Sequence, residues 1–357
     1  MVLAKFNKKA KVEEREDLSD VVPWEVDEDV ILVIDGDELA FKVASSCQET
    51  MLKYTNTETQ GEGFFKNKTQ FKEFMVGIEF EEELFVSELD AKAEPLPVAI
   101  GTVKRRINNL CKAVKAHPNN VEIYITGKTN FRLDLPLPLR YKHNREGADK
   151  PVLLDDLKKY LIDYQGADIV EGLEADDALT IRMTDGVKEG KRIIAATVDK
   201  DATQTEGWLY NPDRCTLKYI DKGLGELYLD DQTKNESVKG YGYKFLLWQI
   251  LVHDQIDGYA SRDVYEQLHG KKPRYGEKTA YKELKDCKTF KDALAAVCKK
   301  YKQWYGEDPF TYTDWQGKEH EVMWYDLIEL YFKCAYMKRS YDDKTSILKA
   351  LKKMELM

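Results

Sequence analysis

The sequence has no CxxC cysteine pair, no apolar run of membrane-spanning length, no internal repeat and no surplus of positive charge. Each absence removes a class of protein. The six cysteines, Cys47, Cys111, Cys215, Cys287, Cys298 and Cys334, are scattered. They read as reduced side chains of a cytoplasmic protein rather than as a disulfide frame or a zinc site. Without a stretch of roughly 20 apolar residues the chain has no spanning helix, and residues 1–20, charged almost throughout, do not fit a secretory signal. Histidines number only five, and His117 and His253 offer nothing at metal-ligand spacing. The formal net charge of −9 argues against a general coat for nucleic acid. What remains is a chain of 357 residues, 43% of them hydrophobic. That is enough for one large domain or two modest ones with a real core.

The pattern is that of an α/β protein with a mainly parallel sheet. Val30–Ile34 (VILVI), Val121–Thr126 (VEIYIT) and Lys191–Val198 (KRIIAATV) are apolar, β-branched runs of the kind buried on both faces of such a sheet. A short strand is expected around Asp168–Val170, and a hairpin or edge pair over Trp208–Asn211 and Thr216–Asp221. Helices are expected after Asp37, over Val98–Ala116 and Leu153–Tyr164, from Glu174 to Met183, over Tyr243–Val252 and Lys278–Leu284, and near Lys291–Tyr301 and Glu321–Ser340. Residues 1–29 read as a loosely held extension, 30–240 as the core, and 241–357 as a helical module with an all-helical tail. An insertion spans 48–95. Its basic and aromatic residues (Phe64, Phe65, Lys66, Lys68, Phe71, Lys72) either touch nucleic acid or form a solvated face whose charge the acidic run Glu79–Glu94 cancels.

Acids stand where the apolar runs end. Asp35 closes the first strand, where open α/β sheets bind ligands. Glu174, Asp176 and Asp177 open the GLEADDALTIRM helix, with Glu174 and Asp177 three apart on one face. Asp199 and Asp201 follow the third strand; in an extended segment both point at one site while Lys200 points elsewhere. Asp254 and Asp257 share a helical face after Val252. Any one of these is equally a helix cap or a strand-ending turn. Together, eight carboxylates repel strongly in a site of low dielectric unless cations hold them. Hard oxygen donors without His or Cys select Mg²⁺ or Mn²⁺, and two such ions suit phosphodiester cleavage. The negative net charge does not oppose this, because acids around metal ions are neutralised locally.

Residues 128–151 form the most basic long loop. Lys128, Arg132, Arg140, Lys142, His143, Arg145 and Lys150 are interleaved with Phe131 and Tyr141, and Pro136 and Pro138 break any continuous helix. Such a patch suits phosphate contacts, or is a solvated loop. Near the other end, Gly276, Lys278 and Thr279 open a helix whose amides suit a phosphodiester.

The order IDGD, FR…RYKHNR, EADD, VDKDA, HDQID and YGEKTA resembles the 5′ nucleases of tailed phages and the 5′→3′ exonuclease domain of bacterial DNA polymerase I, relatives of the flap endonucleases. The resemblance covers roughly residues 30–290. It implies a PIN-like core with a helix–three-turn–helix module, and a cytoplasmic monomer acting on DNA in replication, primer removal or recombination. Its substrate would be a duplex with a 5′ end or flap, or an RNA–DNA hybrid. By motif, Asp35, Glu174, Asp176, Asp177 and Asp199 would hold one metal group, and Asp201, Asp254 and Asp257 the second. Lys142 and Arg145 would contact the scissile phosphate beneath a helical arch or clamp, with Arg132, Arg140, Tyr141 and Lys150 also on the DNA. Gly276, Lys278 and Thr279 would belong to the duplex-binding turn, which in this family also binds K⁺. Two departures stand out. Gly127 stands where the family has an Asp after the second core strand, so one carboxylate is missing or supplied elsewhere. Asp257 is followed by Gly258-Tyr259 and an insert, Ala260–Pro273, before the Gly276 turn. Two rivals stay open: a catalytically silent PIN-like protein that binds branched DNA, and a PIN-type ribonuclease.

Overall fold

The computed structural model describes residues 23–76, 82–230 and 236–357; most of the expected N-terminal extension and residues 79–81 of the acidic run lie outside them. A six-stranded sheet forms the centre. Its strands are β1 (Val30–Asp35), β2 (Val121–Asn130), β3 (Asp168–Gly172), β4 (Arg192–Ala196), β5 (Gly207–Asn211) and β6 (Thr216–Ile220). They lie in the order β3-β2-β1-β4-β5-β6, all neighbours parallel except the β5–β6 hairpin. The expected mainly parallel sheet is thus present.

Both faces of the sheet are covered, which explains why the strands read as unbroken apolar runs. Val30, Leu32 and Ile34 face a layer made by helices α1 (Gly36–Ser46), α2 (Leu96–Val114) and α3 (Leu154–Tyr164). Val33, one residue out of step, faces α4 (Ala175–Glu189) with Leu179, Ile181 and Met183. In such a sheet the order of connection reverses between β1 and β4, and loops diverge there to leave a crevice at the carboxyl ends of the strands.

Residues 23–29 of the extension are held. The Trp24 Nε1–H donates to Ala116 O at 3.4 Å, and the Asp27 N–H to Lys115 O at 2.8 Å. The insertion is a three-stranded antiparallel sheet, Gln48–Asn56 between Glu62–Phe65 and Phe85–Ala93, with a short helix, Lys68–Phe74. Tyr54 stacks on Phe71 at 3.7 Å with Phe65 against both, so these three aromatic residues make a small core of their own. Lys68 and Lys72 pair with Glu82. Its charge is cancelled locally, as the solvated-face reading has it.

Beyond residue 241 the helices are α5 (Gly242–Gln249), α6 (Asp263–His269), α7 (Glu277–Leu284), α8 (Phe290–Tyr305), α9 (Trp324–Ala335) and α10 (Ile347–Lys353). Two expectations fail here. The tail is not all helical, because Phe310–Thr313 and Glu319–Val322 pair as an antiparallel hairpin. Of the helical arch or clamp expected over 128–151, the helical arch is not formed, in keeping with Pro136 and Pro138. The only helices of that stretch among the described residues are short 3₁₀ turns at Phe131–Asp134 and His143–Arg145. Between them Leu135, Leu137 and Tyr141 enter the hydrophobic core of the C-terminal helices. Pro136 and Pro138 keep that segment extended, so alternate residues turn inward.

Candidate metal centre

The acids collect in a cleft of about 870 Å³ at the carboxyl ends of β1, β2 and β4. Asp35 is fixed by the helix it caps, its Oδ1 accepting the Asp37 and Glu38 N–H groups at 2.8 and 3.1 Å. The next two acids, which pattern reading left out of the site, also line the cleft. Asp37 Oδ2 accepts the Thr126 N–H at 2.9 Å, and Lys158 Nζ lies 2.6 Å from its other oxygen. Glu38 reaches the end of β4, where its Oε2 accepts from Thr197 Oγ1 and the Val198 N–H. Both sat in a visible first helical turn; nothing local said which way they point.

The EADD acids separate. Asp176 lines the cleft, and its Oδ1 is buried with no hydrogen-bond partner. Asp177 faces the opposite way and closes a capping box with Glu174. It is fully buried against Arg132, whose Nη1 and Nη2 donate to its two oxygens at 2.6 and 3.0 Å, and its Oδ1 also accepts the Lys338 N–H. This corrects two expectations. Asp177 is not an available metal ligand, and Arg132, 1% exposed, is not on a DNA surface. Arg132 also donates to Glu174 and to the carbonyls of Cys334 and Tyr336.

Asp199 and Asp201 do come together, but not by strand alternation. The chain leaves β4 through a turn in which Asp199 Oδ1 accepts the Asp201 N–H at 2.7 Å, and a 3₁₀ turn follows. Lys200 therefore does not point elsewhere. Its Nζ lies 3.0 Å from Asp201 Oδ1 and 2.7 Å from Asp254 Oδ2. Asp254 and Asp257 likewise meet in a turn rather than on a helix, with Asp254 Oδ1 accepting the Ile256 and Asp257 N–H groups. Asp201, Asp254 and Asp257 each bring one oxygen within 4.8 Å of the others.

The cations arrive by docking two turns. The Lys142 N–H donates to Asp257 O at 2.8 Å, Asn144 Nδ2 to Gln255 O at 2.6 Å, and Arg145 Nε to Ile256 O at 3.3 Å. Gly258 permits this. It has φ +68°, and a side chain there would meet Asn144 Oδ1 at 2.8 Å. Lys142 Nζ then pairs with Glu174 and lies 3.5 Å from Asp257 Oδ1, while Arg145 Nη2 lies 3.4 Å from the same oxygen. Lys150 lies at the exposed cleft wall. Tyr141, expected on DNA, is buried and donates from Oη to Asp257 Oδ2 at 2.8 Å. Arg140 stands outside the cleft, paired with Glu146 and over the Trp315 ring. Gly276, Lys278 and Thr279 are exposed at the start of α7, with Lys278 Nζ 2.8 Å from Glu236. Gly276 is extended, and a Cβ there would meet nothing in the chain, so the fold itself does not require glycine.

Gly127 has an internal cause. A Cβ at this position would lie 2.5 Å from the Glu171 carboxylate and 2.7 Å from Val170 O. Glu171 occupies the space, accepting from the Thr129 N–H and Oγ1.

Burial dominates the electrostatics. It pushes the Asp35 carboxyl up to about 7, with Asp37 adding to the rise, and Asp201 up to about 7, with Asp199 adding. Asp176 is raised well above the carboxylate range by burial and then by Asp35 and Asp199; Asp199 is raised by burial too. Asp254 goes the other way: burial opposes ionisation, but the Lys200 ammonium and two amides outweigh it. Asp177 is lowered in the same manner by Arg132. A set of hard, buried oxygens, one of them without a partner, fits a divalent cation such as Mg²⁺ or Mn²⁺.

No family model matches this chain, and no curated protein does. Eleven chains of solved structures resemble it, two T5 structures among them. The T5 D15 protein co-crystallised with metal ions is 15% identical with a TM-score of 0.41, over 74% of this chain and 77% of that one. The T5 5′-exonuclease with zinc ions bound is 15% identical with a TM-score of 0.37, over 71% and 73%. Among the described residues no helix is long and apolar enough to cross a membrane.

Two predictions follow from the charges. Arg132→Ala strands Asp177 as a buried unpaired charge, and should lower unfolding free energy by about 3–5 kcal/mol in denaturant titrations. Arg132→Lys, lacking the planar fork, should recover only part of it. A loss of DNA affinity without loss of stability would contradict the buried role. The second concerns pH. Asp35 and Asp201 keep protons up to about 7 in the folded state, whereas unfolded carboxyls release them near ~4. The folded protein therefore binds more protons between these values, so metal-free stability falls as pH rises through that window. Melting with EDTA should be lower at pH 8 than at pH 5, and Mg²⁺ should flatten the difference. Equal melting at both values in EDTA would count against it.

Proposed function

We propose that this protein is a metal-dependent nuclease that hydrolyses phosphodiester bonds of DNA at or near a 5′ end, as a 5′→3′ exonuclease or flap endonuclease. The observation that carries the reading is that Asp35, Asp176 and Asp199 line one cleft at the sheet's crevice, with the Asp176 oxygen unpartnered and Lys142 and Arg145 lining the same cleft. The motif order supports it, as does the cluster of carboxylate oxygens that Asp201, Asp254 and Asp257 form among the described residues.

Asp35, Asp176 and Asp199, with Glu174, would hold the first ion, and Asp201, Asp254 and Asp257 the second. Bound divalent ions supply Lewis acidity and a nucleophilic water at neutral pH. In the balanced reaction water adds to phosphorus, the bond from phosphorus to the 3′ oxygen breaks, and a 5′ phosphate and a 3′ hydroxyl result. Lys142 and Arg145 offset charge on the phosphate. Lys142 is aimed by its neighbours: its backbone is anchored on Asp257 and its ammonium lies between Glu174 and Asp257. Tyr141 and Arg132 act beneath them by fixing Glu174 and Asp257. In this reading residues 30–240 are the catalytic part and 241–357 the duplex-binding part, with Gly276, Lys278 and Thr279 on the phosphate backbone. A Gly276 that nothing inside the protein requires is consistent with close approach from outside.

Labelled duplex, 5′-flap, single-stranded and RNA–DNA hybrid substrates test this directly. Cleavage should need Mg²⁺ or Mn²⁺, stop in EDTA, and vanish in a folded Asp199→Asn protein. Equal binding in both conditions with no cutting would instead mark a silent DNA-binding protein. Two further variants divide chemistry from binding. Lys142→Ala should lose about 10²–10³ in rate with little change in duplex affinity. Lys278→Glu should weaken duplex binding and flatten its salt dependence by about one unit of slope. The assignment of roles fails if Lys142→Ala loses affinity in proportion to rate, or if Lys278→Glu harms single-strand cutting equally.

A further inference from the structure

The cleft's acids divide by whether the protein itself supplies a cation. Asp37 has Lys158, Glu38 has Lys42, Glu174 has Arg132 and Lys142, Asp257 has Lys142 and Arg145, and Asp201 and Asp254 share Lys200. Among the described residues, no Lys or Arg nitrogen forms an ion pair with Asp35, Asp176 or Asp199. These three are also not drawn together: among the described residues only Asp201, Asp254 and Asp257 bring three oxygens within 4.8 Å of one another. Carboxylates that close need a positive charge between them. Lys200 Nζ, 3.0 Å from Asp201 and 2.7 Å from Asp254, is that charge for these two, while Lys142 and Arg145 reach Asp257.

We propose that Lys200 is the resident cation of the Asp201–Asp254–Asp257 group. The first divalent ion then binds at Asp35, Asp176 and Asp199, and a second enters only by displacing the Lys200 ammonium. The inference rests on the reading of this cleft as a metal centre. Several features make the displacement feasible. Lysine carries a compact charge on a flexible stem of four carbons. The Lys200 side chain is about one-third exposed, and the cleft it lines gives the ammonium somewhere to go. The carboxylates it would leave are held independently. Asp201 accepts from Gln249 Nε2, Asp254 from two amides, and Asp257 from Tyr141. They would stay clustered for an incoming ion. The group with no internal cation has the opposite character. Asp35 is buried and Asp176 and Asp199 are partly buried, and the three repel one another, so an ion there has no ion-paired ammonium to displace.

The test is Mn²⁺ binding to the full protein without DNA, followed by the paramagnetic signal of free Mn²⁺. The wild type should bind one ion tightly and a second at least about tenfold more weakly, the scale of a unit charge a few ångströms away in a partly solvated cleft. Lys200→Met should tighten the second site about tenfold or more, and Lys200→Gln should do the same. Lys200→Arg, which keeps the charge, should retain one tight site. Melting in EDTA should show Lys200→Met destabilised, with Mn²⁺ restoring it by a larger shift than in the wild type. Two equally tight ions in the wild type would overturn the proposal, as would an unchanged second site in both neutral variants. Failure to bind Mn²⁺ at all would overturn the metal-centre reading together with this inference. Binding as described without DNA cleavage would overturn only the nuclease assignment.

Discussion

One guanidinium joins the parts on which the cleft depends. Arg132 comes from the basic loop after β2, its two nitrogens hold Asp177 in the first turn of α4, and its other donors cap the carbonyls of Cys334 and Tyr336 at the end of α9. Loop, α4 and C-terminal helices thus meet at a single buried charge. Burying an ion pair is costly in solvation and is weak grounds for overall stability. Its effect here is geometric. With Asp177 locked, α4 has one rotation, which turns Asp176 toward the cleft and sets Glu174 within reach of Lys142.

Around that anchor the acids hold local structure and line the cleft at once. Asp35 caps α1, Glu38 fixes the end of β4, Glu174 caps α4, and Asp254 nucleates the turn that carries Asp257. Each spends part of its oxygen valence on backbone amides, which holds it still and leaves the rest directed at the cleft. The cost is repulsion, and the protein meets it unevenly. Lysines and arginines pair with the acids on one side of the cleft, while among the described residues none forms an ion pair with Asp35, Asp176 or Asp199.

The docking of the Lys142–Arg145 turn on the Asp254–Gly258 turn links residues more than a hundred positions apart. It explains why the basic loop is not a free phosphate-binding arm. Two of its charged and aromatic members, Arg132 and Tyr141, are interior and hold acids in place, while Lys142, Arg145 and Lys150 face the cleft. The same docking accounts for Gly258, whose backbone must pass under Asn144.

By itself the sequence determined the sheet and the whereabouts of the acids. Val30–Asp35, Val121–Asn130 and Arg192–Ala196 are strands because β-branched residues buried on two faces leave no polar side, and periodicity reports burial of that kind directly. Acids that follow such strands must lie at their carboxyl ends, so Asp35 and Asp199 were legible from order alone. Direction was not. Which of Asp176 and Asp177 faces the cleft, where Lys200 turns, and which basic loop residues are interior all depend on partners distant in sequence: Arg132, Asp254 and the C-terminal core. Period-2 and period-3.6 rules fail at these positions because they lie in caps and turns, where backbone direction changes at each residue. There, only tertiary contacts decide where a side chain points.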